Sequence, residues 1–106
     1  MRTVTWLTLS FALDHPAGAG HFPGNPIIPG ALLLAETLRT ITEANDLDVA
    51  SCTIKSAKFQ HPVRPGDCVE IEYTYSAQEH IDFICTVSGT KVLSGAASAT
   101  INAQQG

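Results

Sequence analysis

One stretch of this chain limits its fold more than any other. From Gly30 to Asn45 the residues recur with helical period, opened by Pro29-Gly30 and closed by Asn45-Asp46. Its first half, Ala31-Leu32-Leu33-Leu34-Ala35, is apolar on every side, which predicts a helix buried over most of its circumference. Further on, Glu36, Arg39, Thr40 and Glu43 return at helical spacing and form one polar stripe. No second segment has this period. Val69, Ile71, Tyr73 and Tyr75 alternate with Glu70, Glu72 and Thr74, and Ile81, Phe83, Cys85 and Val87 alternate with polar residues in the same way. Strands are also expected over Val4 to Leu13, Val49 to Phe59 and Val92 to Ile101. A lone helix that is apolar all round finds cover in an antiparallel sheet curling about it. The expectation is an α+β chain: one domain over residues 1–106, five antiparallel strands wrapped around one central helix.

Two connections carry local detail. The first strand changes phase once, at Trp6-Leu7, which suggests a bulge. His15 to Gly30 holds four of the six prolines, so it predicts a packed loop without regular structure. His61-Pro62-Val63-Arg64-Pro65-Gly66-Asp67 has turn chemistry. Tyr73 and Tyr75 are placed in the sheet core or at its rim, and His61 at a strand end, on the surface or in an interface.

Composition excludes several functions. Six Lys plus Arg against ten Asp plus Glu give a net charge of −4, with no basic run to neutralise phosphates, so nucleic acid is not an expected partner. The longest apolar run is five residues, too short for a membrane span, and the N-terminus lacks the apolar core of a signal peptide. A cytoplasmic protein is the expectation. Cys52, Cys68 and Cys85 are odd in number and widely spaced, and the histidines have no metal-ligand spacing; reduced thiols and no metal are expected. Charged residues are only 15% of the chain, well below the usual share, which points to surface hidden in an oligomer.

Two blocks go beyond architecture. Gly20-His21-Phe22-Pro23-Gly24-Asn25-Pro26-Ile27-Ile28-Pro29-Gly30-Ala31-Leu32 resembles the GHFPGxPxxPGxL signature of the FabZ and FabA type 3-hydroxyacyl-(acyl-carrier-protein) dehydratases, which have the hotdog fold. Lys58-Phe59-Gln60-His61-Pro62-Val63-Arg64-Pro65-Gly66-Asp67 is similar to the KFxxPVxPGD block that follows in the same family. The chain is shorter than the usual stand-alone enzyme and resembles compact members.

The resemblance implies dehydration of a 3-hydroxyacyl thioester, with no metal or redox cofactor. His21, in a proline-stiffened loop, takes the base's position; a neutral imidazole suits α-proton removal. Gly30 takes the oxyanion position, where backbone N–H groups at a helix start polarise the thioester carbonyl. Phe22, Pro23, Gly24, Pro29, Ala31 and Ala35 fall where the family's substrate pocket is lined. The carboxylate departs from the pattern. In the family it lies five residues after the glycine matching Gly30, and here that residue is Ala35, with Glu36 one place later. One residue turns a helical side chain by about 100°. Glu36 is therefore read two ways: as the acid, and as part of the solvated stripe with Arg39.

Three functions follow. One is a lyase acting on acyl carrier protein or coenzyme A thioesters. The second is an acyl-thioester-binding protein or thioesterase, since Ala35 cannot donate a proton. The third is a subunit of a heteromeric dehydratase whose partner supplies the acid. In the family two protomers join their sheets around a shared acyl tunnel, which implies a homodimer or a higher oligomer. Lys58 and Arg64 are candidates for docking an acidic carrier.

Overall fold

A computed structural model describes residues 4–12, 27–76 and 79–101. Its elements are β1 (Thr5–Ser10), α1 (Gly30–Ala44), a 3-10 turn (Val49–Ser51), β2 (Thr53–Phe59), β3 (Cys68–Tyr75), β4 (His80–Val87) and β5 (Thr90–Ser98). The five strands make one sheet in the order β1-β3-β4-β5-β2, and every neighbouring pair is antiparallel. This is the α+β arrangement the sequence predicts.

Alternation sets the faces. Val69, Ile71 and Tyr73 of β3 and Ile81, Phe83 and Cys85 of β4 are buried, while Glu70, Glu72, Asp82 and Ile84 lie on the other side. The buried side receives Leu33, Thr37, Leu38 and Ile41 of α1. Deep in this contact the Thr37 hydroxyl meets the Cys85 thiol at 3.6 Å, so this buried polar group has a partner. Ser88 and Gly89, both with positive φ, make the two-residue turn between β4 and β5, the mirror-image geometry that matches strand twist.

The helix ends in a Schellman motif. Leu47 N–H bonds the Thr42 carbonyl and Asp46 N–H the Glu43 carbonyl, with Asp46 in the left-handed region at φ 54°. Asn45 Nδ2 donates to the Ile41 carbonyl at 2.8 Å and to the buried Tyr73 hydroxyl at 2.7 Å. The capping residue thus ties the end of α1 to the middle of the sheet.

Four expectations are corrected. β1 stops at Ser10 and runs in unbroken register from Thr5↔Tyr73 to Ser10↔Cys68, without a bulge. The phase change arises because Trp6 faces away from the core, 59% exposed, while Leu7, Leu9 and Phe11 turn inward. β2 begins at Thr53, because Asp48 caps a 3-10 turn by accepting from Ala50 N–H at 3.0 Å. β5 closes at Ser98, with Ile101 held only by an isolated bridge to Leu47. Finally, α1 is not sheathed on most sides. Leu33 is buried, but Leu32 and Leu34 are half-buried and Ala31 and Ala35 exposed, because one open five-stranded sheet covers one side of a helix.

β2 is an edge strand, exposed at all seven positions. Its inner edge is packed tightly all the same. A Cβ on Gly95 would lie 2.3 Å from the Ser56 carbonyl oxygen and 2.9 Å from Phe83 Cζ, so only glycine lets β5, β2 and the Phe83 ring meet there.

Candidate active site at the helix N-terminus

The helix start is placed by one short backbone link. Ile28 N–H bonds the Val63 carbonyl at 2.7 Å, which joins the end of the proline-rich segment to the β2–β3 connection. That connection is itself pinned. Arg64 and Asp67 close a turn through Arg64 N–H to Asp67 Oδ2 (2.8 Å) and Asp67 N–H to the Arg64 carbonyl (3.0 Å). Gly66 adopts φ 94°, a conformation costly for other residues, and donates to the Phe11 carbonyl at 2.7 Å. The second sequence block therefore fixes the start of α1 in space.

α1 opens with its dipole uncompensated. Leu33 N–H to the Pro29 carbonyl, at 3.0 Å, is the first intrahelical bond, so Gly30, Ala31 and Leu32 have no helical acceptor for their N–H groups. Pro29 is the N-cap, among the described residues no side chain caps the end, and the first turn holds no acidic residue. Developing negative charge is favoured at such an end.

A cavity of about 440 Å³ lies at this helix start. Ile28, Leu33 and Val63 give it an apolar floor, and Phe59 forms one wall. The Phe59 ring is so close that a Cβ on Gly30 would sit 3.0 Å from Cε1. A glycine here keeps both the ring in place and the backbone open to a ligand. Polar groups come from Gln60, His61 and the Gly30 backbone. The arrangement is an apolar slot with a positive backbone end, suited to an acyl chain whose carbonyl gains negative charge.

The sequence-derived residues separate around this slot. His21, Phe22, Pro23 and Gly24 lie outside the described residues. Gly30 lines the cavity; Pro29, Ala31 and Ala35 are exposed and do not. Glu36 is turned to Arg39, which pairs with Glu36 and, at 3.1 Å, with Glu43; the two carboxylates push the guanidinium pKa up. Glu36 does not line the cavity.

Of the described residues that line the cavity, sequence reasoning named only Gly30; Phe59 and His61 are among those it missed. Both stand in the KFxxPVxPGD-like block, and a second motif fixed against the first was the available signal. Among the described residues no three His, Cys, Asp or Glu side chains cluster as a metal site, and no helix is long and apolar enough to cross a membrane.

Comparison with known proteins places this geometry. Residues 2–96 match the sequence model of the ApeI-like family, described as ApeI dehydratase. The chain is 35% identical over 69 residues to the 3-hydroxyacyl-(acyl-carrier-protein) dehydratase FabZ of Caulobacter vibrioides, covering 57% of this chain and 43% of that protein. It is 29% identical over 96 residues to FabZ of Campylobacter curvus, covering 78% and 64%. The chain spans about half the length of most of the curated relatives it matches. The dehydratase heterocomplex ApeI:P from Xenorhabdus doucetiae contains a chain with the same fold, TM-score 0.74 at 18% identity, covering 92% of this chain and 87% of that one. The five-stranded sheet on one helix is thus the hotdog fold.

Proposed function

The chain belongs to the ApeI-like dehydratase family, and on that premise we propose that it dehydrates a 3-hydroxyacyl thioester to the trans-2-enoyl thioester. The observation that carries this reading is the cavity opening onto the uncapped start of α1 at Gly30. The thioester carbonyl is bound by the Gly30 backbone N–H, where the helix dipole offsets charge as enolate character develops. His21 takes the α-proton, and Phe22, Pro23 and Gly24 carry its loop. The acyl chain occupies the apolar slot beside Phe59. No metal or redox cofactor is required.

Acyl carrier protein is the proposed carrier, supported by the FabZ relatives and by exposed Lys58 and Arg64 close to the mouth of the slot in sequence. Such a carrier fits a cytoplasmic enzyme. The surface proposed for assembly is β2, an edge strand exposed at all seven positions. We propose that two copies join through these edges; the ApeI:P heterocomplex makes a related but different chain the competing partner.

The test is purified protein with a 3-hydroxyacyl thioester on acyl carrier protein, enoyl product being followed by mass. His21→Ala is expected to reduce enoyl formation by about 10²-fold or more. Free acid without enoyl product would establish a thioesterase instead. Acyl binding without turnover would establish a binding protein, the reading that Ala35 favours.

A further inference from the structure

Elimination of water needs an acid as well as a base, since hydroxide leaves poorly unless it is protonated. The family's carboxylate position is Ala35, which has no proton to give, and Glu36 faces Arg39 outside the slot. Among the described residues lining the cavity, His61 is the one titratable side chain. We infer that His61 is the general acid, a role that rests on the dehydratase reading above.

Its placement suits the task. Gln60 N–H makes the last bond to β5, to the Val92 carbonyl at 2.9 Å, and Val63 is buried and paired to Ile28. Backbone on both sides of His61 is therefore fixed. The same Ile28–Val63 link that sets the helix start also sets His61, so acid and oxyanion site are positioned by one contact. His61 Nδ1 lies 3.4 Å from the Pro62 carbonyl, a long contact that leaves the ring free to turn to a ligand. The side chain is exposed to solvent as well as to the slot, so it regains a proton from water after each turnover.

The step balances. His21 takes the α-proton, and the C–H electron pair becomes the C2–C3 π bond. The C3–O bond breaks, and its oxygen leaves with the His61 proton as water. His21 is left protonated and His61 neutral, and both return to their starting forms by exchange with solvent.

The experiment compares two substrates on the full chain, a 3-hydroxyacyl thioester and its 3-chloro analogue, whose chloride departs without a proton. His61→Gln is expected to slow dehydration by about 10²-fold while leaving chloride elimination within about twofold of the parent. Glu36→Gln is expected to change neither. Because His61 is exposed, an unchanged melting temperature of His61→Gln confirms an intact fold. The role is overturned if His61→Gln dehydrates at the parent rate, if it loses both eliminations alike, or if Glu36→Gln shows the selective loss. A parent protein that forms no enoyl product from either substrate overturns the dehydratase reading itself, and the role with it.

Discussion

Gly95→Ala measures how closely the edge strand must sit to hold the site together. The added Cβ would lie 2.3 Å from the Ser56 carbonyl oxygen, 2.9 Å from Phe83 Cζ and 3.2 Å from Ala57 Cα. Carbon–oxygen contacts in sheets settle at about 3.3–3.6 Å, so the Ser56 carbonyl must retreat by about 1 Å. That carbonyl is backbone, and Phe83 is buried at 2% exposure. Overpacking of this kind costs about 1–3 kcal/mol, and backbone resistance puts it at the upper end. Alanine recovers about 0.5 kcal/mol by restricting the unfolded chain, which leaves a net loss of about 2 kcal/mol. For a domain of this size that is a fall in melting temperature on the order of 8–16 °C. Hydrogen exchange would localise it, with β2 amides and Gln60 losing protection before β3 and β4. The site should suffer too, because Phe59 rides on β2. A melting temperature within about 2 °C of the parent, with unchanged protection in β2, would refute the close approach.

Three further outcomes are expected. Burial pushes the Cys85 thiol up to about 11, with the Thr37 hydroxyl opposing in part, whereas Cys68 is exposed; alkylation at pH 8 followed by peptide mass analysis should mark Cys68 and spare Cys85. The folded state holds that proton more tightly than the unfolded chain, whose thiol titrates at 9.0, so the contribution is intact below pH 9 and is lost as pH rises towards 11, read as a falling melting temperature. Asn45→Ala removes the donor to Ile41 and Tyr73 and should cost about 1–2 kcal/mol, seen in denaturant unfolding; full stability would show that the Tyr73 hydroxyl does not depend on it.

Much of the architecture was legible because it rests on local periodicity. The α1 boundaries match within one residue, and the inward faces of β3 and β4 follow from strict alternation. Trp6 misled because a large apolar side chain on the outer face of an edge strand looks, in one dimension, like a shifted inward one. The open side of α1 was also hidden, since helical periodicity reports how apolar a face is and not how much sheet exists to cover it.

The sequence by itself determined the elements, the faces of the central strands and the two motif blocks, since each depends on neighbours within a few residues. Tertiary structure alone decided that Phe59 and His61 stand with Gly30 around one cavity, and that Glu36 stays with Arg39 outside it. The physical reason is the separation along the chain. Ile28 and Val63 meet only when the whole sheet closes on the helix, and no local pattern encodes which side chains that closure brings together.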